Sequence, residues 1–216
     1  MTRLIIIRHA ESALNAERRI QGHWDSGLTA KGCYQAECLA RRLKKYKLHK
    51  IYSSDLGRAY ATTRAIAGHH RIRVIRDADL REIHLGEWEG KTPAEVDKLY
   101  NKGYKKWLKK PSSVRIPNSE KISIFRKRVT GCVARIAKSN PDKTVVIVTH
   151  GGVLTALLAE WLKTEFDHLL LSLDIENTSL TVVEFKGRRV RLKTINDSSH
   201  LIGTKKYDNA NYHQHS

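Results

Sequence analysis

No run of apolar residues in this 216-residue chain is long enough to cross a bilayer, so no membrane-spanning helix and no membrane partner are expected. The apolar stretch near the start is too short for a signal peptide and leads straight into charged residues, so the expected location is cytoplasmic. Proline is scarce, and no Pro/Gly/Ser-rich linker or break in composition divides the chain, which predicts one domain over residues 1–216. Cys33, Cys38 and Cys132 are odd in number and match neither a disulfide framework nor a zinc spacing. They read as reduced thiols in or near the core, and no metal site is assigned to them. Acidic residues are few: 22 Asp and Glu stand against 40 Lys and Arg, for a formal charge of +18 and a pI near 10.0. That excess favours an anionic partner, whether a phosphorylated metabolite, nucleic acid or an anionic surface.

What is present begins with Leu4-Ile5-Ile6-Ile7-Arg8-His9. Four consecutive aliphatic residues, three of them β-branched, suit a strand covered on both faces, as in the middle of a parallel sheet. Ligands of open α/β sheets bind beyond the carboxyl ends of such strands, where Arg8 and His9 would lie. A second strand of this kind, residues 144–149, ends in His150-Gly151-Gly152.

Between them, residues 15–29 read as a loop, and a helix with apolar positions Ala36, Leu39, Ala40 and Leu43 follows Thr29. Residues 51–53 form a short strand, and Ser54-Asp55 are suited to cap a helix over about 56–68. Arg58 then sits in the first helical turn, a place unfavourable for a cation by about 0.3–1 kcal/mol unless an anion is beside it. A third strand is expected at 73–75 and an irregular segment at 80–90. One helix is predicted from Pro93 to about Leu108, a break over 111–119, and a long helix ending near Lys138. Residues 179–185 and 189–195 alternate around Lys186-Gly187 as a hairpin, and 203–216 is a polar tail carrying His213 and His215. The fold class expected is three-layer α/β, with a mostly parallel central sheet flanked by helices.

Three strand-helix units of this kind bring Arg8, His9, Arg58 and His150 to one edge of the sheet. A phosphate monoester is dianionic near neutral pH, and the planar arginine fork holds two of its oxygens at once. Histidine can attack phosphorus as a neutral nucleophile or donate hydrogen bonds to the equatorial oxygens as charge spreads. A departing alkoxide needs a proton, which a carboxyl group can deliver, and Glu82 is the candidate.

The ordered blocks Arg8-His9-Ala10-Glu11-Ser12 with Asn15, Gln21-Gly22, Leu28-Thr29-Ala30-Lys31-Gly32, Ser53-Ser54-Asp55-Leu56-Gly57-Arg58, Leu80-Arg81-Glu82-Ile83, Gly86-Glu87-Trp88-Glu89-Gly90 and Val148-Thr149-His150-Gly151-Gly152 resemble the histidine phosphatase superfamily, the phosphoglycerate-mutase-like fold. The resemblance implies that His9 becomes a phosphohistidine and that Arg8, Arg58 and His150 bind the phosphoryl group. Glu82 would protonate the leaving oxygen and then activate water. Ser12, Asn15, Gln21, Gly22, Gly151 and His200 would complete the substrate site, with no metal and no cofactor. Two departures stand out: Ala10 replaces the glycine usual after the histidine, and Pro117-Asn118-Ser119-Glu120-Lys121 stands where many relatives have Pro-Gly-Gly-Glu-Ser.

Cofactor-dependent phosphoglycerate mutases carry a longer insertion and a Glu-Arg segment after the acid. Here Ile83-His84-Leu85 follows Glu82, which favours hydrolysis of a small phosphorylated metabolite, with mutase action as the alternative. Leu85 stands where the phosphoserine enzymes would place a histidine. An insertion over about 91–128 would form a helical lid. Between Lys98 and Arg128 it holds eleven lysines and arginines against Glu120 alone, a formal +10. Such a surface could steer an anionic substrate, or serve a basic binding module for nucleic acid or an acidic partner. Oligomeric state is left open, with a homodimer among the options.

Overall fold

A computed structural model describes residues 1–187 and 189–202. The tail over 203–216, with His213 and His215, lies outside the described residues. In chain order the elements are β1 Thr2–Arg8, α1 Ala13–Ala16, α2 Ala30–Leu43, β2 Lys50–Ser53, α3 Gly57–His70, β3 Val74–Arg76, α4 Pro93–Leu99, α5 Gly103–Trp107, α6 Ile122–Lys138, β4 Thr144–Thr149, α7 Gly151–Leu162, α8 Phe166–Ser172, β5 Leu180–Lys186 and β6 Arg189–Asp197.

Alternation along β1 builds the layers. Leu4 and Ile6 face a cluster containing Phe125, Val129 and Val133 of α6 with Val153, Leu154 and Leu157 of α7. Ile5 and Ile7 face Leu39 and Leu43 of α2 with Ala59 and Ile66 of α3. All four aliphatic side chains are fully buried, each burial contributing about 1.5–3 kcal/mol. The sheet runs β3-β2-β4-β1-β5-β6. Strands β3, β2, β4 and β1 are parallel, while β5 is antiparallel to β1 and β6 to β5. The mostly parallel three-layer fold is therefore as the sequence predicts.

Register fixes what reaches the carboxyl edge. Arg8 pairs with Thr149 across β1 and β4, and Ser53 pairs with Val148 across β2 and β4. The next residues along, His9, His150 and Ser54, are thereby neighbours.

Four local expectations are corrected. The single helix over 93–108 is two helices: Asn101 and Lys102 adopt left-handed backbone (φ 48° and 57°), and Asp97 Oδ1 accepts from Lys105 N–H at 3.0 Å, restarting the helix. The loop over 15–29 is preceded and entered by the one-turn α1, with Ser12 ahead of it. Helix α8, where no helix is expected from the sequence, carries Phe166 into the main core. Neither Ser54 nor Asp55 caps α3 through its side chain in the usual way, since Leu56 is the N-cap; Asp55 instead pairs with Arg81 at 2.6 Å. A separate small core of Trp88, Val96 and Ile116, with Tyr100, Tyr104 and Trp107 against it, supports α4 and α5.

Candidate active site

Strand β1 delivers His9 buried beneath a cavity of about 340 Å³. Its backbone is held on both sides: His9 N–H donates to Thr149 O at 2.9 Å, and Asn177 Nδ2 donates to His9 O at 2.8 Å. The ring is aimed through its own chain, since Nδ1 lies 2.7 Å from Ala10 O, an acceptor only. Nδ1 therefore carries the hydrogen and Nε2 the lone pair. Arg58 Nε–H donates to that Nε2 at 3.3 Å. Burial holds the His9 pKa well below the ordinary histidine value, and the neighbouring Arg58 and Arg8 cations push it the same way. A neutral imidazole keeps the Nε2 lone pair that a nucleophile needs at neutral pH.

Arg58 is almost completely buried, and burying a guanidinium is tolerable only when its donors are met. Its fork donates to Gly22 O at 2.7 Å, to Trp24 O at 3.0 Å and to Asp25 Oδ1 at 3.1 Å. Asp25 is the anion that the position of Arg58 in the first turn of α3 required. It comes from a loop far away in sequence, which is why sequence reasoning missed it. Arg8 donates to Ile175 O through one terminal nitrogen, while its Nε is buried without a partner among the described residues. Burial lowers its pKa, and Glu82 opposes the shift.

His150 stands behind His9, with ring centroids 5.1 Å apart, and is not part of the cavity wall. Ser54 Oγ lies 2.8 Å from His150 Nε2 and already accepts from Leu56 N–H at 3.3 Å. His150 Nδ1 is buried without a partner among the described residues. Burial, then Arg58 and His9, hold this histidine well below its ordinary pKa too.

Glu82 lines the cavity from the segment after β3. One oxygen accepts from Ile83 N–H and the other from Gly152 N–H, both at 2.9 Å. A Cβ on Gly152 would lie 2.4 Å from Glu82 Oε1, so only glycine lets the carboxyl group approach. Arg128 anchors the backbone of this segment through the carbonyls of Asp79, Arg81 and Glu82, while its fork grips Glu120 at 2.7 and 3.0 Å.

Asn15, Gln21, Gly22 and Gly151 also line the cavity. Ser12 does not. Its backbone N–H donates to Asn15 Oδ1 at 3.2 Å and its hydroxyl to Gln21 Oε1 at 2.8 Å, so both carboxamide oxygens are turned toward Ser12 and their NH₂ ends are left for the cavity. His200 lies in another cavity, lined with Tyr34, Cys38 and Arg42, where its Nε2 meets Thr178 Oγ1 at 3.1 Å. Glu89 was also unforeseen as a support: its carboxylate accepts from His23, Trp24 and Leu85 N–H at 2.9, 3.0 and 2.8 Å. Gly22, at φ 54°, leaves room for it, since a Cβ there would lie 2.0 Å from Glu89 Oε1. Cys132, beside Asp77 and Asp79, is kept as a thiol, its pKa pushed up to about 12 by burial. Arg135 crosses both of those carboxylates at 2.9 and 3.1 Å.

Comparison with known proteins agrees with this arrangement. The model of the histidine phosphatase superfamily (branch 1) matches residues 4–198. Phosphoglycerate mutase-like protein 4 of Arabidopsis thaliana is 36% identical over 207 residues, covering 93% of this chain and 87% of that protein. Phosphoserine phosphatase 1 of Hydrogenobacter thermophilus is 32% identical over 201 residues, covering 93% and 95%. Among solved structures, a phosphoserine phosphatase mutant from Entamoeba histolytica in complex with phosphoserine superposes with a TM-score of 0.82 at 32% identity, covering 94% of this chain and all of that one.

Proposed function

The chain belongs to the histidine phosphatase superfamily and hydrolyses a phosphomonoester of a small metabolite; we propose that it does so through a covalent phosphohistidine on His9. The observation that carries this reading is the state of His9: neutral, with Nδ1–H tied to Ala10 O and the Nε2 lone pair facing Arg58 Nε–H.

Arg8, Arg58 and the NH₂ groups of Asn15 and Gln21 receive the phosphoryl oxygens as charge develops, with the His150 ring packed behind His9. His9 Nε2 forms a bond to phosphorus as the bond to the alcohol oxygen breaks, and Glu82 gives that oxygen its proton. The Glu82 carboxylate then takes a proton from water as the water oxygen attacks phosphorus. The N–P bond breaks, its electron pair returns to Nε2, and inorganic phosphate leaves. Acid-base assistance of this type contributes about 10²–10⁴-fold. The segment over 91–128 acts as a lid, since Tyr104 and Trp107 of α5 line the cavity.

Turnover of an aryl phosphate in the presence of chelator, with acid-labile label trapped on the protein, tests the proposal. His9→Ala abolishes both if it holds. Undiminished turnover by His9→Ala, or absence of label across a range of pH, refutes the covalent route. Assaying 3-phosphoglycerate for isomer against free phosphate separates hydrolysis from mutase action.

A further inference from the structure

The cavity is larger than its phosphoryl end requires. Its volume of about 340 Å³ falls in the range, about 300–1,000 Å³, that encloses a whole small ligand. Beyond Arg8, His9 and Arg58, the wall is formed by Ile20, Leu85, Tyr104, Trp107, Phe166 and Leu170. These side chains come from four separate parts of the chain, and the aromatic members are fixed from behind. Trp107 packs edge-on against Trp88 at 5.9 Å, and Phe166 against Phe125 at 6.5 Å.

Charged side chains are few in the rest of the wall among the described residues. Arg19 is the one cation there among the described residues, and its Nε and one terminal nitrogen are engaged by Glu17 at 3.0 Å, Glu95 at 3.0 Å and Gly90 O at 2.8 Å. The other charged side chain is Asp174, itself an anion. A substrate alcohol bearing a carboxylate would trade water for neutral hydroxyl and indole groups at most besides the already engaged Arg19, and would face Asp174. An apolar alcohol would gain by leaving water.

We infer that this cavity selects phosphomonoesters of apolar alcohols, alkyl or aromatic, over esters whose alcohol carries a carboxylate. The inference rests on the phosphatase reading and adds the chemistry of the leaving group. It sets this chain apart in substrate class from its phosphoserine-hydrolysing relatives.

The test is kcat/KM, in chelator, for straight-chain alkyl phosphates from methyl to octyl and for 2-naphthyl phosphate. O-phosphoserine, 3-phosphoglycerate and O-phosphoethanolamine are the polar comparators. The expected result is a rise of about three- to fourfold per methylene until the wall is covered, with naphthyl phosphate at least about tenfold above every polar ester. Leu170→Arg, checked for an unchanged melting temperature, flattens the chain-length series and raises activity on 3-phosphoglycerate. Leu170→Met, which keeps the wall apolar, retains the slope and serves if the arginine variant does not fold. A flat series, or any polar ester outrunning octyl and naphthyl phosphate, overturns the inference while leaving the phosphatase reading intact. No hydrolysis of any ester, the aryl phosphate included, overturns both.

Discussion

Asp25 holds Arg58 by side chain and main chain together: its carboxylate accepts from the Arg58 guanidinium at 3.1 Å, from the Arg58 backbone N–H at 3.3 Å and from the Gly57 backbone N–H. One carboxylate thus caps α3 and orients the arginine that faces His9. Asp25→Ala is expected to cost about 1–2 kcal/mol of stability, as for loss of a helix cap, measured by urea unfolding. It should also lower kcat/KM by about tenfold or more, because Arg58 is then free to turn away from the phosphoryl site. Asp25→Asn, which keeps an acceptor, should recover most of the stability and less of the activity.

Two adjacent glycines should behave differently. A Cβ at Gly152 collides with the Glu82 carboxyl group at 2.4 Å, whereas at Gly151 the nearest atom is Arg8 Nε at 3.7 Å, an ordinary contact. Gly152→Ala is expected to lower kcat by about 10²-fold, the low end of the contribution of a positioned acid-base group. Gly151→Ala should stay within about threefold of the parent, since only van der Waals contact is added. Steady-state kinetics on one aryl phosphate decides both.

Glu89 accepts three backbone N–H groups from two segments, fastening the loop over 21–25 to the segment after Glu82. Glu89→Ala leaves those donors unmet and should destabilise the protein by about 3 kcal/mol or more. Chemical denaturation at fixed pH measures it, and a loss under about 1 kcal/mol would contradict the role.

His9, His150 and His200 all have lowered pKa values in the folded protein, His200 at about 4 through burial first and Arg42 second. In the unfolded chain they bind protons near 6.5, so below that pH the unfolded state holds more protons than the native one. Their contribution to stability is fully present above 6.5 and is lost as pH falls toward the folded values. For His200 that window runs from about 6.5 to about 4. Each such histidine steepens the decline by about 1.4 kcal/mol per pH unit. Denaturant titrations between pH 7 and 4 should show this slope, and His200→Gln should reduce it. Side-chain NMR should find the His9 ring still neutral at pH 6, and Arg58→Gln should raise its midpoint.

Lys102, Lys105, Lys106, Lys109 and Lys110 are exposed on the segment around α5, and none has an ion pair among the described residues. Replacing all five with glutamine should reduce kcat/KM for a dianionic ester by about three- to tenfold at low ionic strength. At about 0.5 M salt, where charges are screened over a few ångströms, the difference should disappear. A salt-independent loss would point to damaged packing of Tyr104 and Trp107 instead.

The strands and the residues at their tips were legible because β-branched runs are strong local signals and the chemistry sits where they end. Arg8, His9, Arg58, Glu82, Asn15, Gln21, Gly22 and Gly151 do converge on one cavity. Asp25, Glu89, Asn177 and Arg128 were not legible, because each acts through backbone groups brought close only by the finished fold. The break between α4 and α5 was hidden for a related reason: the helical pattern continues through it, and left-handed Asn101 and Lys102 leave little trace in hydrophobic spacing. Ser12 and His200 were placed at the site by motif alone. The structure gives Ser12 the task of turning two carboxamides, one by its backbone N–H and one by its hydroxyl, and gives His200 a different cavity.

Because Arg8 pairs with Thr149 in parallel register, the rings of His9 and His150, at 5.1 Å, stand about one interstrand spacing apart. The sheet is therefore the ruler of the site, and the ruler cannot stretch while the central strands stay paired. Loops around the cavity can open without changing that separation. The amide of His9, bonded to Thr149 O, should accordingly exchange its hydrogen only when the whole molecule unfolds, long after the amides of the cavity rim have exchanged.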